Sequence, residues 1–237
     1  MATEATSHCW LAGRRVLITG ATSGIGRATA LHLRRRGMAV LAHGRSEPRL
    51  QALLEDDPEL ELVCGDLATD AGCRAVERAL AQRAPHALVL NAGAVGARKL
   101  ASEFSDAEMA ALMQVNLLAP MRLARSFARL PRLAEPRRLV LVLSTSCLHT
   151  RPGLSLYVAG KCGLMGFGRT LQQEADQLGL RTILVFPGRT DTGIRAGSHP
   201  EYTAPGSAAR VIAQLLAQPA DLVPYEFVFR PPVDTRE

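Results

Sequence analysis

Seven short apolar runs punctuate the chain: Arg15 to Thr19, Ala39 to Ala42, Leu60 to Cys64, Ala87 to Leu90, Leu139 to Leu143, Thr182 to Phe186 and Glu226 to Phe229. Rich in Val, Leu and Ile and free of polar alternation, they read as strands covered on both faces, the condition of a parallel sheet. Between them, from near Gly24, Pro48, Thr69, Asp106, Leu154 and Ala208, apolar residues recur at three- and four-residue spacing, the period of an amphipathic helix. The segment from Leu154 to Gln177 is expected to form one long helix. Strand and helix alternate throughout, which predicts an α/β fold with a doubly wound, mainly parallel seven-stranded sheet, helices on both faces and ligands at the carboxyl ends of the strands.

No Pro- or Ser-rich linker, repeat or low-complexity tract divides residues 1–237, so a single domain is expected. Residues 1–12 read as a loose extension, 189–203 as a lid over the substrate and 231–237 as a tail.

Composition narrows the function. An apolar fraction of 47% supplies ample core. The formal charge is +6, yet the arginines are scattered in small groups such as Arg14-Arg15, Arg34-Arg35-Arg36 and Arg137-Arg138. Without interleaved aromatics or a docking motif, this favours attraction of small anions over nucleic-acid binding. The five cysteines (Cys9, Cys64, Cys73, Cys147, Cys162) are odd in number and lack Cys-x-x-Cys or zinc spacing. They point to a reducing, cytoplasmic compartment and to no metal. No basic, apolar leader opens the chain, and the strongest apolar run, Leu139 to Leu143, is too short to cross a bilayer; no membrane is expected.

Two segments carry chemistry. Tyr157 and Lys161 stand four apart in a chain with only two lysines and three tyrosines. On a helix that spacing brings the side chains to one face about 6 Å apart, and an ammonium beside a phenol favours the phenolate. Thr19-Gly20-Ala21-Thr22-Ser23-Gly24-Ile25-Gly26 closes the first strand and opens the first helix. Glycines there let backbone N–H groups approach a pyrophosphate at the positive end of a helix.

Together with Asn91-Ala92-Gly93 after the fourth run and Asn116 in a helix, these segments in this order resemble the short-chain dehydrogenase/reductase family, from about Arg15 to Phe229. The resemblance implies a Rossmann-type fold, a nicotinamide cofactor and a tetrad of Asn, Ser, Tyr and Lys. It assigns the dinucleotide to Gly20, Thr22, Ser23, Gly24, Ile25 and Gly26, and to Asn91, Ala92 and Gly93. Asp66 and Leu67 match the pair that receives adenine, although Asp66 also suits the N-cap of a helix Leu67 to Arg83. Pro187, Gly188, Thr190 and Thr192 match the segment that meets the nicotinamide carboxamide.

Asn116 matches the tetrad asparagine, whose amide and backbone hold a water of the proton relay. Ser144 lies thirteen residues before Tyr157, the family's usual distance, while Thr145 and Ser146 stand as alternatives. Tyr157 is then the general acid in reduction, and Lys161 tunes it and holds the nicotinamide ribose. Gly160 stands where the family usually has Ser. His149 lies in the loop that lines the family's substrate pocket.

Cofactor choice is read from the second run. No carboxylate stands at Gly44 to accept from both ribose hydroxyls, and Arg45 with Ser46 offers donors suited to a 2′-phosphate. NADP(H) is expected, with a small carbonyl or alcohol as substrate and a homodimer or homotetramer by resemblance. The pattern from Ala208 onward looks like the subgroup acting on 3-hydroxy acids and similar substrates. A dehydratase or isomerase using the same tetrad, and a catalytically silent NADP-binding sensor or scaffold, are the rival readings.

Overall fold

A computed structural model describes residues 10–192, 199–219 and 221–232. All seven apolar runs are strands: β1 (Arg15–Thr19), β2 (Ala39–Gly44), β3 (Glu61–Cys64), β4 (Ala87–Leu90), β5 (Arg137–Val142), β6 (Leu180–Pro187) and β7 (Glu226–Phe229). They form one sheet in the order β3-β2-β1-β4-β5-β6-β7, with every pairing parallel. The chain steps outward from β1 to β3 and then returns to lay β4 against the other side of β1. That reversal opens a crevice beyond the carboxyl ends of β1 and β4.

The helices are α1 (Gly24–Arg35), α2 (Glu47–Asp56), α3 (Asp70–Arg83), α4 (Asp106–Met113), α5 (Ala119–Ala128), α6 (Ser155–Gln173), the short α7 (Ala175–Leu178) and α8 (Pro205–Leu216). Strand alternation divides the core into two layers. Val16 and Ile18 face Ala30 and Leu33 of α1 and Ile212 and Leu216 of α8. Leu17, one residue out of phase, faces the opposite layer with Leu80 of α3, Phe127 of α5 and Leu164 of α6. Burying a Leu or Ile side chain in this way contributes about 1.5–3 kcal/mol.

Several boundaries differ from expectation. Residues 10–12 are not a loose extension: Trp10 and Leu11 belong to the core, because the indole N–H donates to Glu135 at 3.0 Å and the Arg138 guanidinium lies 3.7 Å from the ring centroid. Residues 1–9 lie outside the described residues. Arg137 and Arg138 are each only 4% exposed; Arg137 Nε donates to the Pro85 carbonyl at 3.1 Å and Arg138 donates to that of Leu216. These arginines are internal struts and present no surface to a polyanion.

The long helix stops at Gln173 rather than Gln177. Gln172 ties its end to the sheet, donating to the carbonyls of Thr182 at 3.1 Å and Tyr225 at 2.9 Å. Of the expected tail, Pro231 is buried and residues 233–237 lie outside the described residues. So does part of the expected lid, 193–198; its base is closed by Thr203 N–H on Arg189 O and Asp191 N–H on Thr203 O, both 3.0 Å. No described helix is long and apolar enough to cross a membrane.

Candidate active site

The crevice is a cavity of about 920 Å³ that runs along the carboxyl ends of β2, β1, β4, β5 and β6. Its floor is built by Thr19, the last residue of β1. The Thr19 hydroxyl accepts from Asn91 N–H at 3.0 Å and Ala92 N–H at 3.1 Å, while the Asn91 side chain donates back to the carbonyls of Thr19 and Gly20 at 3.0 and 3.2 Å. The turn after β1 is thereby locked to the turn after β4. Gly20 holds φ +68, which side chains rarely adopt, and a Cβ at Gly26 would stand 2.1 Å from the Gly20 carbonyl. The glycines are needed where β1 folds into α1, whose N-terminus points its free N–H groups at the cavity.

At one end Arg45 and Ser46 line the wall, joined by Arg49 from the first turn of α2. Asp66 and Leu67 follow, beside Gly65. Asp66 is not a helix N-cap: its carboxylate accepts from Ala68 N–H at 3.0 Å, and Thr69 caps α3 by accepting from Gly72 N–H. The turn from Asp66 to Thr69 needs the short Asx bond before the helix can start.

At the other end stand Ser144, Tyr157 and Lys161, with Pro187, Gly188, Thr190 and Thr192 opposite. Lys161 is 4% exposed and donates to the Val142 carbonyl at 2.8 Å. Burial pushes its ammonium down to about 8, since a charge is hard to keep away from water. The Ser144 hydroxyl accepts from Ser146 N–H at 3.1 Å, which leaves its own hydrogen to donate. Ser146 also lines the cavity, whereas Thr145 faces only an adjoining recess. Thr190 donates to the Gly188 carbonyl at 3.2 Å.

Two expected residues lie behind the wall. Gly26 packs on Gly20 and Asn91 as above. Asn116 is fully buried, and both ends of its amide engage main chain: Nδ2 donates to Ala94 O at 2.7 Å and Oδ1 accepts from Ala94 N–H at 3.0 Å. The amide therefore fixes the wall segment instead of facing the cavity. Asn116 sits in a wide turn, Gln114–Leu118, where Ala119 N–H reaches back five residues to Gln114 O. A Cβ at Gly93 would lie 2.9 Å from Asn116 Oδ1 and 3.2 Å from Lys161 Nζ. Gly160 has the same kind of cause: a Cβ there would lie 2.9 Å from that of Asn116.

The short chain dehydrogenase family model matches residues 14–203. The chain belongs to that family of oxidoreductases. It is 34% identical to the L-xylulose reductase of Mesocricetus auratus over 178 residues, 75% of this chain and 72% of that protein. It is 28% identical to the NADPH-dependent pterin aldehyde reductase of Arabidopsis thaliana over 223 residues, 87% and 90% of the two. Among solved structures, the alcohol dehydrogenase of the archaeon Thermococcus sibiricus complexed with 5-hydroxy-NADP superposes with a TM-score of 0.83 at 26% identity, covering 94% of this chain and 99% of that one.

The residues of this short chain dehydrogenase fit a dinucleotide. From β2 to β5 the cavity crosses three inter-strand steps, about 14 Å at about 4.8 Å each. Its middle is the helix N-terminus and a floor kept low by Gly26 and Gly93. Sequence reasoning missed His43, the penultimate residue of β2, which is 2% exposed. His43 Nδ1 accepts from Gly20 N–H at 3.4 Å and Nε2 donates to Gly65 O at 2.8 Å, joining the two loops on which a dinucleotide would rest. Burial lowers its pKa, which keeps the ring neutral and able to do both. The available signal was a polar residue directly after the apolar run Ala39 to Ala42. Arg49, in the first turn of α2, was also missed.

Proposed function

We propose that this enzyme interconverts a carbonyl and an alcohol with NADP(H), Tyr157 carrying the proton. The observation that carries the reading is the buried Lys161 ammonium on Val142, in one cavity with Tyr157 and Ser144. A charge held away from water against a single carbonyl costs stability. Placed one helical turn from a phenol, it lowers the cost of phenolate.

When bound, the dinucleotide supplies or accepts the hydride. Arg45, Ser46 and Arg49 would take a 2′-phosphate, and Asp66 and Leu67 the adenine. Gly20 to Ile25 with Asn91, Ala92 and Gly93 would hold the pyrophosphate and ribose, and Pro187, Gly188, Thr190 and Thr192 the carboxamide. Names of relatives support this choice, since one is NADPH-dependent and one solved neighbour holds an NADP derivative.

In reduction, Ser144 donates to the substrate oxygen and orients it, while Tyr157 delivers a proton to that oxygen as it gains charge. Lys161 steadies the phenolate left behind, and Asn116 holds the wall that keeps Lys161 in place. A reducing, cytoplasmic setting and a homodimer or homotetramer complete the reading. Leu118, 51% exposed beside Asn116, lies on an outer face available to a second copy.

The test is a panel of ketones and aldehydes assayed with NADPH and with NADH. NADPH absorbance should fall in step with alcohol formed, and Tyr157→Phe should remove that turnover while leaving NADPH binding intact. Product formation without NADPH consumption would replace the redox reading by dehydration or isomerisation.

A further inference from the structure

In the sheet His43 of β2 is set opposite Thr19 of β1 and Val63 of β3, where both neighbouring strands give way to loops that line the cavity. Main-chain bonds carry the sheet one step further, Ala21 N–H on His43 O at 2.8 Å and Gly65 N–H on Gly44 O at 3.0 Å. These hold each loop to β2. The ring holds the loops to each other, Nδ1 accepting from Gly20 N–H at 3.4 Å and Nε2 donating to Gly65 O at 2.8 Å.

Each loop is also braced on its own side. The Asn91 side chain donates to Thr19 O and Gly20 O. The loop after β3 rests on α3, where a Cβ at Gly65 would stand 2.9 Å from Gly72 O, and Gln114 Nε2 donates to Leu67 O at 3.2 Å. Loss of the ring would therefore leave both loops formed but free to shift against one another. Strand alternation points His43 the way of Leu41, towards the layer of Leu17 and Leu80, where leucine would serve packing alone. The imidazole instead presents one acceptor and one donor. It has to be neutral to do so, since a proton on Nδ1 would meet Gly20 N–H donor to donor, and burial favours the neutral form.

We infer that His43 is a positioning residue that couples the two halves of the cofactor site, so that adenosine held by one loop brings the other into register for the pyrophosphate. This rests on the dinucleotide placement proposed above, with Arg45, Ser46, Asp66 and Leu67 at the adenosine and Gly20 to Ile25 at the pyrophosphate. A cradle already aligned loses less freedom on binding than two loops that must be aligned each time.

The test divides the cofactor into fragments: adenosine 2′-monophosphate and adenosine 2′,5′-bisphosphate differ by the 5′-phosphate from which the pyrophosphate starts. Their dissociation constants are measured by displacement of NADPH, followed by its fluorescence. In the wild-type protein the 5′-phosphate should tighten binding. In His43→Leu that gain should be about tenfold smaller, while binding of the 2′-monophosphate weakens much less. General loosening of the fold would weaken both fragments alike. His43→Gln, whose amide keeps an acceptor and a donor, should recover most of the gain. Should His43→Leu not fold, His43→Asn, too short to span both loops, takes its place.

A gain as large in His43→Leu as in the wild type, or one reduced as far in His43→Gln as in His43→Leu, overturns the coupling. If Arg45→Gln meanwhile loses affinity for both fragments, the placement of the dinucleotide stands. If Arg45→Gln binds both as tightly as the wild type, the placement fails and the coupling with it.

Discussion

Lys161 Nζ donates to the main-chain carbonyl of Val142 at 2.8 Å, and Thr19 makes that carbonyl available. The β4–β5 ladder sets Leu90 opposite Leu141, with Arg138 N–H on His86 O at 3.0 Å. Continued by one more step, it would send Ala92 N–H to Val142 O. The Thr19 hydroxyl takes Ala92 N–H instead, and the freed carbonyl receives the ammonium. One hydroxyl on the neighbouring strand thus decides where the sheet stops and the site begins.

Replacing that hydroxyl isosterically tests the link. Thr19→Val strips the acceptor from Asn91 and Ala92 N–H, so the ladder can close on Val142 and displace Lys161. Turnover is expected to fall about tenfold or more, with stability lower by about 1–3 kcal/mol. Thr19→Ser, which keeps the hydroxyl, should stay near wild type. A Thr19→Val protein with unaltered kcat would show that Lys161 is held by other means.

Burial of Lys161 has a stability signature with a definite sign. Its folded pKa, about 8, is below the ordinary lysine value, so between about 8 and 10.4 the unfolded chain binds more protons than the folded one. The penalty is therefore complete below about pH 8 and disappears as pH rises through that window. Lys161→Met should abolish turnover yet stabilise the ligand-free protein at pH 7 by about 1 kcal/mol, the relieved charge outweighing an orphaned Val142 carbonyl. Denaturant unfolding at a series of pH values checks it: the advantage of the variant should shrink towards pH 10. A difference independent of pH would mean that Lys161 carries no such strain.

What the sequence alone reveals depends on whether a feature is local or long-range. The strands were legible because parallel strands buried on both faces need unbroken apolar runs, and the Tyr157/Lys161 pair because helical spacing is local. Register is not local. That Thr19 holds Ala92, that His43 spans Gly20 and Gly65, and that Asn116 spends its amide on Ala94 all depend on pairings between distant segments. Trp10 was misread for the same reason, since its partners Glu135 and Arg138 lie far along the chain.

Cofactor selectivity should reside at Arg45. On the reading proposed above, Arg45→Gln would remove a charge-assisted contact to a 2′-phosphate, so the KM for NADPH should rise about 10- to 100-fold while that for NADH changes little. Gly44→Asp, the obvious route to NADH preference, should fail as a single change. A Cβ at Gly44 would stand 2.5 Å from Thr22 Cγ2, so the new carboxylate displaces the loop it is meant to serve. Steady-state kinetics with both cofactors decides the point, and efficient NADH use by Gly44→Asp would show that the loop yields.

Pro120 interrupts the series of main-chain donors in the helix that follows Asn116. An α-helix would give the Asn116 carbonyl a donor four residues later, but residue 120 is proline and has no N–H. With the amide committed to Ala94 and Gln114 O taken by Ala119, the reading proposed above gives the water of the proton relay to the Asn116 carbonyl. Wide turns of this kind recur at functional sites because they release such groups. Pro120→Ala offers the missing donor, so it should stabilise the helix by about 1–3 kcal/mol and slow turnover severalfold. Calorimetry and kcat measured on one preparation separate the two effects. A stabilised Pro120→Ala enzyme with wild-type kcat would remove the carbonyl from the relay, leaving Asn116 the purely positional role that its bonds to Ala94 already give it.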